Sequence, residues 1–204
     1  MKKATIVSIK TKTAAKDAAQ AVRSGGIVIV PTETVYGFAT SAFNVLNYQK
    51  LYKIKGRSYK KPLTIMVASV EAAKTFVQIS DKFLPMTDKF WPGQLTLIFP
   101  TTELGKLLSD GRGDLGVRIP DSAFMLKFLK DIAMPLWTTS VNVSSKQSAK
   151  TFEETLPFTR KVDLIVDGGK CKYSYESTVI NMTKYPYEVL RKGCLDPDAV
   201  LKLI

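Results

Sequence analysis

Histidine is absent from all 204 residues. That absence removes Ser–His–Asp and Cys–His nucleophilic catalysis, imidazole general-base chemistry and His-ligated zinc. Cysteine is scarce: Cys171 and Cys194 stand far apart with no histidine to join them, which is no metal-ligand pattern, and both are expected as free thiols. Long apolar runs are missing too. No segment approaches the ~20 apolar residues that a membrane-spanning helix requires. The basic opening Met1-Lys2-Lys3 is not followed by an apolar stretch of signal-peptide length. These absences lead us to expect a cytoplasmic chain with no membrane partner. Acidic residues are under-represented: 18 Asp and Glu against 30 Lys and Arg leave a net charge of +12. An excess of that sign favours polyanions such as nucleotides, phosphates and RNA. Any catalysis must run on Lys, Arg, carboxylates, hydroxyls, backbone amides or a hard cation such as magnesium.

What is present suffices for a core. Hydrophobic residues make up 45% of the chain, including ten Phe and two Trp, and the length fits one domain spanning residues 1–204. Thr5–Ile9 alternates and is β-branched, predicting a first strand. Thr13 is placed to cap a helix carrying Ala14, Ala15, Ala18, Ala19 and Val22, ended by Gly25-Gly26. The continuous run Ile27–Val30 predicts a buried strand, with Pro31–Gly37 a loop at its C-terminal end. Asn44 opens a helix with Val45, Tyr48, Leu51 and Tyr52 on one face. Further strands are predicted at 63–68, 95–99, 115–119, 162–166, 178–182 and 187–190, the last two as a hairpin, while Leu136–Thr139 leads into Ser140. Helices are expected after Ser69, Asp81, Asp121 or Ser122, and Asp196. The polar stretch 143–150 reads as a loop able to serve as a lid. Strands alternating with helices and then clustering predict an α/β (α+β) domain on a twisted, mixed sheet.

Two short patterns bear on chemistry. In Lys55-Gly56-Arg57, two cations on alternate residues of an extended segment would share one side, and in Ser140-Val141-Asn142 a hydroxyl and an amide would do the same. Brought together, they make a pocket that neutralises and orients phosphates or carboxylates. Lys50, Lys53, Lys55, Arg57, Lys60 and Lys61 crowd into twelve residues around the first pattern. This cluster reads either as a solvated helix end with a basic loop or as an anion-gathering rim.

An ordered set of motifs then resembles one family. It comprises Pro31-Thr32-Glu33-Thr34-Val35-Tyr36-Gly37, Lys55-Gly56-Arg57 with Pro62-Leu63, Phe90-Trp91-Pro92-Gly93, Gly116-Val117-Arg118-Ile119-Pro120, Ser140-Val141-Asn142, Asp167-Gly168-Gly169, Glu176-Ser177-Thr178-Val179 and Leu190-Arg191-Lys192-Gly193. From about Gly25 to Gly193 the chain is similar to YrdC-like proteins, which include the threonylcarbamoyl-AMP synthases. The resemblance implies a single YrdC-like domain with a concave basic face. It also implies a nucleotidyltransferase reaction: threonine and bicarbonate form a carbamate, whose carboxylate attacks the α-phosphate of ATP, with magnesium, to give threonylcarbamoyl-AMP and pyrophosphate for threonylcarbamoyladenosine modification of tRNA. The expected partners are ATP, L-threonine, bicarbonate, tRNA or double-stranded RNA, and the proteins of the later transfer step.

Carried over by position, the resemblance gives Lys55, Arg57, Ser140 and Asn142 as the catalytic tetrad. Arg57, Lys61, Ser140, Ser148 and Arg191 face ATP, and Thr34, Arg118 and Ser177 face threonine. No metal ligand is assigned, because Glu33 and Glu176 serve equally as metal-facing carboxylates or as structural partners. The chain departs from the family pattern at Met66 (often His), Lys61 (often Asn), Asp114 (often Thr) and 146–150, where two prolines are missing. Two other readings stay open: a divergent paralogue of the YciO type, and an RNA-binding YrdC-like protein without adenylate synthesis.

Overall fold

The computed structural model describes residues 3–59 and 61–204, so Met1, Lys2 and Lys60 of the basic clusters lie outside the described residues. In chain order the elements are β1 (Thr5–Ser8), α1 (Ala14–Arg23), β2 (Val28–Val30), β3 (Gly37–Ser41), α2 (Val45–Lys55), β4 (Thr64–Met66), α3 (Val70–Lys74), α4 (Leu84–Phe90), β5 (Leu95–Pro100), α5 (Glu103–Lys106), β6 (Asp114–Arg118), α6 (Ala123–Ile132), β7 (Leu136–Ser140), β8 (Leu164–Asp167), β9 (Thr178–Asn181), β10 (Glu188–Arg191) and α7 (Pro197–Leu201). The strands form one mixed sheet in the order β1-β8-β2-β3-β7-β4-β6-β5-β9-β10. The α/β class and mixed sheet expected from the pattern are therefore observed.

Continuous apolar runs divide by alternation into two cores, because successive side chains of a strand point to opposite faces. Ile27, Ile29, Ile65, Leu97, Val117, Trp137 and Ile165 enter one core with Leu51 and Tyr52 of α2. Val28, Val30, Met66, Leu136, Leu164 and Val166 enter the other, under α1 and α6. The pairing of α1 with α6 and its contacts with β2, β3 and β8 cover one side of that second face. Beyond them, the same face of β7, β4, β6 and β5 carries Thr138, Thr64, Arg118 and Thr96, which line an open cleft.

Several local expectations are corrected. β3, whose first residue Gly37 ends the expected loop, has no counterpart among the expected strands. It pairs antiparallel with β2 on one side and β7 on the other, and Gly37-Phe38-Ala39-Thr40-Ser41 is too rich in small residues to announce a strand. The helix α5 and the 3-10 turn Glu153–Phe158 went unassigned. Val45 is 66% exposed and leaves the buried face of α2 to Tyr48, Leu51 and Tyr52. Thr13 makes no side-chain cap; its hydroxyl instead donates to Asp17 Oδ2 at 2.8 Å. Asn44, Ser69, Ser122 and Asp196 do cap, each accepting from a backbone N–H of the first turn.

Candidate functional site

The cleft is built from the ends of distant segments. The loop after β2 is folded on itself by Thr32, whose Oγ donates to Val35 O at 2.7 Å and accepts from the backbone N–H of Thr34 and Val35. This turn aims Thr34 into the cleft and Glu33 behind it. Arg118, the last residue of β6, donates from Nη2 to Glu33 Oε1 at 2.6 Å, from Nη1 to Thr34 Oγ1 at 3.0 Å and from Nε to Gly93 O at 3.1 Å. The Trp91–Gly93 turn that presents this carbonyl packs tightly: a Cβ on Gly93 would lie 2.4 Å from Phe90 O. Of the Arg118 pair, both side chains are more than nine-tenths buried, where an ion pair must be well hydrogen-bonded to offset its desolvation.

At the other end, α2 stops at Gly56, which adopts φ +58° and turns the chain. Lys55 and Arg57 therefore do not share one side of an extended segment, as alternate spacing suggested, since the residue between them is a left-handed helix cap. Arg57 lines the cleft, held by Nε donating to Lys61 O at 2.9 Å and Nη2 to Pro62 O at 3.1 Å. Lys55 turns inward and is 1% exposed. Its ammonium donates to Ser140 O and Asn142 Oδ1, and Ser140 Oγ lies 3.4 Å away. Burial, and then the neighbouring charge of Arg57, bring its pKa down to about 7. The Lys55 carbonyl also accepts from Ser144 N at 2.7 Å, so one residue fastens β7 and the loop after it.

The third wall comes from the segment before β9. Ser177 Oγ lies 2.9 Å from Thr96 Oγ1 and accepts from Arg191 Nη2 at 3.0 Å, while Arg191 Nε donates to Ser177 O at 2.9 Å. Glu176 Oε2 lies 3.0 Å from Arg191 Nη1, and Oε1 accepts from Ser148 Oγ at 2.6 Å. Tyr36 ties the first loop to this wall: its hydroxyl donates to Gly169 O at 2.9 Å and accepts from Gly168 N at 3.0 Å.

Of the residues singled out in the sequence, Thr34, Arg57, Arg118, Ser140, Ser177 and Arg191 line this one cleft. Lys55 sits behind it against Ser140 and Asn142. Asn142 and Ser148 line the adjoining hollow beneath the 143–147 turn, and Ser148 reaches the cleft through Glu176. Lys61 is exposed and outside the lining; it enters through its carbonyl, as the anchor of Arg57. The 143–150 stretch is a loop, pinned by Ala149 N to Val141 O and Tyr36 N to Ala149 O.

The hydroxyl floor of Thr64, Thr96 and Thr138 is not among the residues singled out in the sequence, whereas Glu176, weighed there as metal-facing or as a structural partner, lines the cleft and pairs with Arg191. A threonine at alternate positions of otherwise apolar strands was the available signal. Three guanidinium groups among hydroxyls, with one carboxylate, are donors of the kind that match phosphate and carboxylate oxygens. Among the described residues, no three His, Cys, Asp or Glu side chains gather to hold a metal ion, and no helix is long and apolar enough to cross a membrane.

The chain is similar to known proteins over most of its length. The Sua5–YciO–YrdC family model, which carries the description "Telomere recombination", matches residues 20–193. The threonylcarbamoyl-AMP synthase of Pyrococcus abyssi is 33% identical over 190 residues, covering 92% of this chain and 56% of that protein. A putative threonylcarbamoyl-AMP synthase of Methanocaldococcus jannaschii is 35% identical over 175 residues, covering 85% of this chain and 83% of that one. The crystal structure of P. abyssi Sua5 complexed with L-threonine superposes with a TM-score of 0.90 at 31% identity, over 98% of this chain and 60% of that one. The chain thus spans little more than half the length of the P. abyssi relative.

Proposed function

The chain belongs to the Sua5–YciO–YrdC family, and from that premise we propose that it forms threonylcarbamoyl-AMP and pyrophosphate from L-threonine, bicarbonate and ATP. It would act as a nucleotidyltransferase in a cytoplasmic step of tRNA modification, with downstream proteins and RNA as its partners. The observation that carries this reading is the convergence of Arg57, Arg118 and Arg191 on one cleft with the hydroxyls of Thr34, Ser140 and Ser177.

In the proposed reaction a carbamate carboxylate oxygen bonds to the α-phosphorus of ATP, and the bond to the bridging oxygen breaks, releasing pyrophosphate. The work asked of the protein is alignment and neutralisation of several negative charges, with no protein nucleophile. This suits a chain without histidine. Arg118, with Thr34 beside it, holds the amino-acid carboxylate. Arg57 and Arg191 hold the triphosphate, the guanidinium fork matching phosphate oxygens. Ser140 donates to the reacting carboxylate or phosphate, and Lys55 fixes Ser140 and Asn142 from behind. Apart from the Met66 thioether, the metal-donor atoms around the cleft are oxygens, with Glu176 the one carboxylate, and this fits a magnesium ion that arrives on ATP and is held mainly by phosphate oxygens. When bound, magnesium supplies further neutralisation of the triphosphate.

The test is pyrophosphate release from ATP, magnesium and bicarbonate with and without L-threonine. Threonine-dependent release is the expected result. Nucleotide binding with threonine-independent or absent release would replace this reading with the divergent paralogue.

A further inference from the structure

Glu176 stands apart from the other charged groups of the cleft. It is the one carboxylate among the lining residues. Burial lowers the pKa of Lys55, Arg57 and Arg191 alike, and the Glu176 charge opposes that lowering in all three. It is therefore the common counter-ion of the basic end of the cleft. Its two oxygens are spread over two donors from different parts of the chain. Oε1 takes the Ser148 hydroxyl at 2.6 Å and Oε2 takes Arg191 Nη1 at 3.0 Å. A carboxylate bridging a hydroxyl and a guanidinium in this way reproduces two oxygens of a phosphate.

We propose that the Glu176 carboxylate is a built-in stand-in for phosphate, occupying the Ser148 and Arg191 donors until a polyphosphate takes them over. The idea deepens the proposed function, since it assumes that the basic end of the cleft receives a triphosphate. The empty cleft gains from the arrangement: three like charges are kept apart from mutual repulsion, and the Ser148 and Arg191 donors are held in place. The binding step then exchanges one anion for another. Its net strength is set by the difference between phosphate and Glu176 rather than by the full attraction of the cations, which keeps a product such as pyrophosphate from being held too long. Once displaced, Glu176 is a carboxylate beside bound phosphates, the position from which a magnesium ion on the nucleotide can be met.

A structural prop and a stand-in respond in opposite directions to loss of charge. Removing a prop loosens Ser148 and Arg191 and weakens anion binding; removing a stand-in removes the competitor and strengthens it. The experiment is calorimetric titration of the protein with inorganic tripolyphosphate, without magnesium, for the parent chain, Glu176→Gln and Glu176→Asp. Glu176→Gln is expected to bind roughly tenfold more tightly, as loss of one nearby like charge at a partly exposed site implies. Glu176→Asp keeps the charge but is too short to span both donors, and should fall between the two. Equal or weaker binding by Glu176→Gln, with tripolyphosphate bound by the parent, overturns the stand-in alone. Failure of every variant to bind tripolyphosphate overturns it together with the proposed function.

Discussion

Glu33 Oε1 lies 2.6 Å from Arg118 Nη2, with 3% and 6% of the respective side chains exposed. The same oxygen accepts from Asp121 N at 3.0 Å, so a single carboxylate orients the guanidinium and anchors the chain beyond β6. Glu33→Ala is expected to cost about 3–5 kcal/mol, the order seen when one partner of a buried ion pair is removed, measured by urea unfolding. Arg118→Lys retains a cation but loses the fork that reaches Glu33, Thr34 and Gly93 together. It should raise KM for threonine with less effect on the ATP response. An unchanged threonine dependence would remove Arg118 from the amino-acid end of the cleft.

Arg57 is held by two backbone carbonyls, and among the bonds given above none of its donors goes to a carboxylate. Arg57→Ala should lower the rate of threonine-dependent pyrophosphate release by ~10²–10³, the range for loss of one well-placed charge-stabilising donor. Activity within twofold of the parent would place the triphosphate elsewhere.

Lys55 makes stability depend on pH in a defined direction. Its pKa is about 7 in the folded chain and 10.5 in an ordinary exposed setting. Between those values the unfolded chain binds more protons, so this residue makes stability rise with pH. Below pH 7 both states carry the proton and the cost of burying the ammonium is felt in full. Above about 10.5 neither does, and the cost vanishes. The total is on the order of a few kcal/mol. Unfolding free energies of the parent and Lys55→Met at pH 6.5, 8 and 9.5 isolate the effect, because other groups cancel in the difference. The parent should gain relative to the variant as pH rises; a flat difference would mean that the ammonium is solvated.

Gly193 lets the segment after β10 press on the cleft wall. A Cβ there would lie 2.3 Å from Ser177 C and Thr178 N and 2.4 Å from Glu176 O, all backbone atoms that cannot rotate away. Gly193→Ala should cost about 1–3 kcal/mol through overpacking and draw Arg191 off Ser177. The expected readouts are a lower melting temperature and weaker ATP binding together. Lost stability with unchanged ATP binding would show that Arg191 holds its place without this contact.

Much of this was legible in the chain beforehand, for a physical reason. The strands that carry β-branched or aromatic residues at alternating or continuous positions declared themselves, as at Ile27–Val30 and Leu95–Phe99. So did the caps at Asn44, Ser69 and Asp196, whose short side chains have few other local uses. β3 did not, because its burial comes from two neighbouring strands and its own residues are small. The site was legible as a set of motifs and illegible as geometry. Nothing local says that Lys55 turns inward while Arg57 faces the cleft; that follows from a left-handed glycine and from oxygens supplied some 85 residues later. For Glu176 the sequence leaves a metal-facing role and a structural partnership equally open, and its bonds to Ser148 and Arg191 are visible only in the fold.

The strand order has a kinetic consequence. β8 inserts between β1 and β2, and β9 pairs in parallel with β5, joining Leu95–Ile98 to Thr178–Asn181. The cleft thus takes Thr34, Arg57, Arg118, Ser140, Ser177 and Arg191 from nearly the whole span of the chain. Contacts of such sequence separation close late in folding. During synthesis, therefore, the anion site remains unformed until Arg191 has emerged, and ligand binding becomes a report that the chain has been made through β10.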